Sequence, residues 1–104
     1  MDIRKYQGTD GKVPFDIWFS KLKDRRAKAR ILMRLKRVES DNFGDAKSLG
    51  GGIYELRITE GKAYRIYYAR DGGEIVLLLC GGNKLGQSKD IKQARQYWSD
   101  YHAE

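Results

Sequence analysis

Two periods of hydrophobicity divide this chain. In its first third, apolar residues recur at helical spacing. Phe15, Trp18, Phe19 and Leu22 fall at i, i+3, i+4 and i+7. Pro14 stands before them, suited to the first position of a helix because its missing N–H has no role there. Asp24 is then placed to cap a second helix from Arg25 to about Glu39, with Ala27, Ile31, Leu35 and Val38 as its buried stripe.

From Tyr54 the period becomes two. Tyr54, Leu56 and Ile58 alternate with Glu55, Arg57 and Thr59. After a turn at Glu60-Gly61-Lys62, Tyr64, Ile66 and Tyr68 alternate with Arg65, Tyr67 and Ala69. A second turn at Asp71-Gly72-Gly73 leads to an apolar strand from Glu74 to Cys80, of the kind covered on both faces. Ile3 to Tyr6 reads as a short opening strand. Asp41 to Gly52 and Gly81 to Gln87 read as loops, and Ser88 caps a last helix with Ile91, Ala94, Trp98 and Tyr101 on one face. The expected order is strand, helix, helix, three strands, helix, in a single domain over residues 1–104. That is an α+β fold, an antiparallel meander with helices mainly on one face.

Charge adds a functional constraint. Lys and Arg total 21 against 14 acidic residues, a formal +7. The second helix alone carries Arg25, Arg26, Lys28, Arg30, Arg34, Lys36 and Arg37 before its first acid, Glu39. Arg26, Arg30, Arg34 and Arg37 align on one side. A small domain this basic meets a polyanion: nucleic acid first, an acidic protein second, a membrane surface third. The longest apolar run, Ile75 to Cys80, is far short of the ~20 residues of a membrane span. With no apolar stretch at the N-terminus, the expected location is the cytoplasm. The one cysteine, Cys80, has no disulfide partner, and His102 is the only other soft ligand, so no metal is expected. Cys80 reads as a small buried hydrophobe.

The hairpin register gives a sharper inference. A turn at Glu60-Gly61-Lys62 sets Ile58 opposite Tyr64, Leu56 opposite Ile66 and Tyr54 opposite Tyr68 on one face. On the other face Arg57 lies opposite Arg65, and Glu55 opposite Tyr67. Like charges directly opposite on a sheet repel, so two arginines there call for an anion between them. Either an external ligand supplies it, or Glu55 bridges to Arg57 on a solvated face. Lys84, in Gly81-Gly82-Asn83-Lys84 beyond the last strand, adds a third cation. Gln87, Ser88 and Asp90 follow at a helix N-terminus, which itself favours an anion.

These elements, with Leu49, Tyr54 to Ile58 (YELRI), Gly61 to Tyr68 (GKAYRIYY), Leu78 to Lys84 (LLCGGNK) and Gln87 to Ala94 (QSKDIKQA), resemble the RelE/ParE superfamily of toxins. The resemblance is to the HigB-like, phage-related addiction module killer branch, and it covers nearly the whole chain. It implies a RelE-like order, β-α-α-β-β-β-α, with two N-terminal helices and a C-terminal helix on an antiparallel sheet. It implies the toxin of a type II toxin–antitoxin system: an mRNA interferase that cleaves messenger RNA on the ribosome, without metal or other cofactor, by attack of a ribose 2′-OH on the adjacent phosphate. By position in the motifs, Arg65 falls to the scissile phosphate, Arg57 to a phosphate clamp and Lys84 to the phosphate or leaving group.

The resemblance departs at the acid–base pair. Better-known members often carry a tyrosine, or a His and Tyr cluster, near the last strand or the C-terminus; after Lys84 this chain has Gln87, Lys89 and Asp90 instead, with Tyr101 and His102 at the far C-terminus. Tyr67, Asp90 and His102 are the candidates for proton transfer. Arg26, Arg30, Arg34 and Arg37 are candidates for binding ribosomal RNA, and the cognate antitoxin is expected to be a helix-turn-helix DNA-binding protein. Two alternatives share the fold: a ParE-like inhibitor of DNA gyrase, and an inactive nucleic-acid-binding member.

Overall fold

The structure is a computed structural model describing residues 1–59 and 61–103. Eight main elements follow in order: β1 (Asp2–Lys5), α1 (Pro14–Lys21), α2 (Arg25–Glu39), β2 (Ala46–Gly50), β3 (Ile53–Ile58), β4 (Tyr64–Asp71), β5 (Ile75–Gly82) and α3 (Gln87–Ala103). A short 3-10 turn, Lys84–Gly86, joins β5 to α3. The result is an α+β fold with three helices on a five-stranded mixed sheet of order β1-β5-β4-β3-β2.

The helices start where local chemistry directs. Pro14 opens α1. The Asp24 carboxylate caps α2 by accepting from the Ala27 N–H at 3.0 Å, one of the donors a helix start leaves unpaired. Ala27, Ile31, Leu35 and Val38 are buried, as the spacing predicts.

Several expectations need correction. The sheet is not wholly antiparallel, because β1 pairs parallel with β5, Lys5 opposite Leu78. The segment read as a loop from Asp41 to Gly52 contains β2, antiparallel to β3. Lys47, Ser48 and Gly50 of that strand are exposed, so this edge strand shows little hydrophobic alternation. Its pairing is supported from α3, where the Arg95 guanidinium donates to the Leu49 and Gly50 carbonyls and the Trp98 indole N–H to Gly51.

The third correction matters most for function. The helices cover both faces of the sheet. Leu56, Ile58, Tyr64, Ile66, Tyr68, Val76 and Leu78 pack with α1 and α2 in one core. Ile53, Tyr67, Ala69, Leu77, Leu79 and Cys80 form a second core with α3. Strand β5 also runs two residues further than expected, through Gly81 and Gly82. A Cβ on Gly81 would overlap the Trp18 ring, and one on Gly82 the Asp90 carboxylate, so only glycine allows these approaches. Ser88 does not begin the last helix, since α3 starts at Gln87. Of the turn expected at 60–62, Glu60 lies outside the described residues.

Candidate functional site

The β3–β4 register is the one the alternation predicts: Ile58 opposite Tyr64, Leu56 opposite Ile66, Tyr54 opposite Tyr68, Arg57 opposite Arg65 and Glu55 opposite Tyr67. The last four residues therefore share the face toward α3. Gly82 of β5 pairs with Arg65 on the other side. The end of β5, the 3-10 turn and the first turn of α3 thus close around the two arginines.

Glu55 organises the group. Its carboxylate is 1 % exposed and meets three donors. Oε1 accepts from Arg57 Nε at 3.0 Å and from Arg65 Nη1 at 3.1 Å. Oε2 accepts from the Gln87 carboxamide at 2.9 Å. A carboxylate removed from water needs such partners to remain charged, and here it neutralises the repulsion between two facing arginines. Glu55 serves both Arg57 and Arg65, and it is buried rather than solvated. The Glu55–Arg57 contact is one of the two readings of the sequence; the contact to Arg65 and the burial were missed, because burial here depends on α3 covering this face. The available signal was an acid diagonal to one arginine and adjacent to another, with Gln87 at the nearest helix start.

Two guanidiniums against one carboxylate leave a net positive charge facing outward. Arg57 has 36 % of its side chain exposed, with Asp45 at a distant 3.9 Å. Arg65 is 13 % exposed, and its buried Nε has no hydrogen-bond partner among the described residues. Lys84 is exposed, two residues beyond Gly82 at the start of the 3-10 turn. In the same turn the Asn83 side chain accepts from the Leu85 N–H.

The acid–base candidates separate clearly. Tyr67 is fully buried, and its hydroxyl has no partner among the described residues. Burial first, then the Glu55 and Asp90 carboxylates, push its phenol well above the usual tyrosine range. Tyr67 therefore stays neutral and enclosed in the core under α3. Asp90 is half-buried against Gly82, the register partner of Arg65. Burial raises its carboxyl pKa, with Lys89 opposing the shift. His102 lies in the last turn of α3, and its ring packs on Trp98 at 4.0 Å. It lies fifteen residues beyond Gln87, roughly 22 Å at 1.5 Å per helical residue. Its neighbour Tyr101 donates to Asp71, at the far end of β4. The structure does not bring His102 to the arginines.

The α2 cations lie on the opposite face of the sheet. Arg26, Arg30 and Arg37 are exposed. Arg34 differs from them, since its guanidinium donates to the carbonyls of Phe43, Asp45 and Arg57. Its donors tie α2 to β3 instead of facing outward, and burial lowers its pKa. Cys80 is buried, its thiol pushed up to about 12 by desolvation and then by Asp90, so its contribution is packing. Among the described residues no three metal-ligating side chains gather, and no helix is long and apolar enough to cross a membrane.

A relative from Haemophilus influenzae, described only as an uncharacterized protein, is 58 % identical over 81 residues, covering 78 % of this chain and 82 % of its own length. Residues 17–98, from α1 to near the end of α3, match the family described as Phage derived protein Gp49-like (DUF891). That stretch contains all of the residues gathered around Glu55, and the chain belongs to the Gp49-like family of phage-derived proteins.

Proposed function

We propose that this chain is the toxin of a type II toxin–antitoxin system and that it cleaves messenger RNA on the ribosome. The observation that carries this reading is the guanidinium pair of Arg57 and Arg65, fixed from behind by buried Glu55. Preorganised cations of this kind stabilise charge that develops on a phosphate during transfer. Membership of a phage-derived family and the resemblance to RelE/ParE toxins support the same reading.

In this mechanism the scissile phosphate lies against Arg65 and Arg57. The 2′-OH of the preceding ribose attacks phosphorus, forming the O2′–P bond as the P–O5′ bond breaks. Asp90 accepts the 2′-OH proton. Its raised pKa brings it nearer to neutrality than an ordinary carboxylate, which favours general-base work. Lys84 protonates the departing O5′. The products are a 2′,3′-cyclic phosphate and a 5′-hydroxyl. On the other face, Arg26, Arg30 and Arg37 hold ribosomal RNA by charge. A cognate antitoxin, a helix-turn-helix DNA-binding protein, restrains the toxin. The setting is the cytoplasm.

The end chemistry tests this directly. Fragments of a translated reporter message should resist 5′ adaptor ligation until treated with polynucleotide kinase. Fragments that ligate without kinase would carry 5′-phosphates and would rule out 2′-OH attack.

A further inference from the structure

Beyond Leu78, β5 keeps β4 on one side but, among the described residues, has no strand on the other. β1 stops at Lys5, while β5 continues to Gly82. A cavity of about 560 Å³ fills the space, with α1 on one side and α3 on the other. This volume falls in the roughly 300–1,000 Å³ range of small-molecule sites. Trp18 of α1 lies against Gly81 as one wall. Tyr97 of α3, stacked on Tyr6 with ring centroids 4.9 Å apart, forms another. Gln93 adds a carboxamide, and the charged groups are mixed: Lys12 and Lys21 against Asp10 and Asp90.

The placement of Asp90 connects this cavity to the arginines. Asp90 lines the cavity and also abuts Gly82, the partner of Arg65. The order in space is therefore aromatic cavity, carboxylate, guanidinium. A nucleotide has the same order: base, 2′-OH, 3′-phosphate. Single-stranded RNA is commonly held with its bases splayed out and stacked on aromatic rings. We infer that this cavity holds the nucleobase on the 5′ side of the scissile phosphate, with Trp18 and Tyr97 offering stacking faces and Gln93 meeting the base edge. An apolar peptide side chain would fill the walls but would give Gln93 and the two lysines nothing to bind. The inference rests on the ribonuclease reading above, which it extends from the phosphate to the base.

Titration of the isotope-labelled protein with adenosine 3′-monophosphate, followed by two-dimensional NMR, tests it, with inorganic phosphate as the base-less control. The Trp18 indole and the Gly81 and Gln93 amides should shift with the nucleotide and not with phosphate. Tyr97→Leu, which keeps apolar bulk but loses the stacking ring, should weaken nucleotide binding about tenfold, and Gln93→Ala should weaken it as well. Equal shifts from phosphate alone, no shifts at the cavity, or unchanged affinity in both variants would overturn the inference. The titration involves no cleavage, so the two readings fail separately. Nucleotide shifts at the cavity with uncut messages would remove the reaction and keep the base site. Cut messages without cavity shifts would do the reverse.

Discussion

The carboxylate of Glu55 accepts from Arg65 Nη1 at 3.1 Å while the two residues sit on adjacent strands, one register step off the Arg57–Arg65 pair. This contact turns a repulsive cross-strand pair into a fixed cationic clamp. Glu55→Ala should therefore release two facing guanidiniums, and breaking a buried pair of this kind costs ~3–5 kcal/mol. For a domain near 100 residues, ~4–8 °C of melting temperature accompanies each kcal/mol. Calorimetry should show a fall of that order, and a shift of only a degree or two would mean that Glu55 is not what holds the arginines.

Arg65→Ala addresses chemistry more than stability. Loss of one preorganised donor to a developing oxyanion costs roughly 10²–10³ in rate. Cleavage should drop by that factor while the fold and antitoxin binding persist. Arg65→Lys should restore little, because one ammonium cannot both pair with Glu55 and present a planar fork to a phosphate.

Asp90 should couple activity to pH and to stability in opposite directions. As the proton acceptor it must be ionised, so cleavage should fall on acidification at a pH above the ~3.9 of an ordinary aspartate. Its folded-state pKa is raised, so the folded protein binds this proton more tightly than the unfolded chain. The folded state is then relatively less stable above that pKa and gains stability as pH falls through it. Asp90→Asn should accordingly be inactive yet at least as stable as the parent at neutral pH, with the difference shrinking in acid. Melting curves at two pH values check this, and a less stable Asn variant at pH 7 would contradict it.

The four arginines of α2 should divide into two classes. Arg34→Ala removes the donor to three carbonyls and should destabilise the fold by ~1–3 kcal/mol. Arg26→Ala and Arg30→Ala should change stability by less than ~0.5 kcal/mol. Each should instead weaken ribosome binding and lower its salt dependence by about one ion. Ribosome co-sedimentation across a salt series, beside thermal melts, separates the classes. Equal destabilisation by all three would erase the distinction.

The sequence exposes those features whose causes are local. The Asp24 cap, the α2 stripe and the β3–β4 register follow from spacing and turn chemistry alone, and that register sets Arg57 opposite Arg65. Contacts between distant segments were hidden. Nothing in Ile3 or Arg4 announces a parallel partner in β5, and the exposed Lys47 and Ser48 mask an edge strand. Because α3 was expected on the same face as the other helices, Glu55 appeared solvated. Once α3 covers that face, Glu55 is buried, Gln87 reaches it, and Tyr67 is sealed beneath. Similarly, Arg34 shares its helical side with Arg30 in the sequence pattern, yet it donates inward to the carbonyls of Phe43, Asp45 and Arg57.

The most direct measurement is primer extension on a reporter message in a translating extract, with the parent protein and with Arg65→Ala. Cuts that require translation and vanish in Arg65→Ala are the predicted result. Growth arrest without cuts, or cuts undiminished in Arg65→Ala, would contradict the assignment of the Glu55-held arginines as the site of RNA cleavage. Arrest without cuts would direct attention to DNA gyrase.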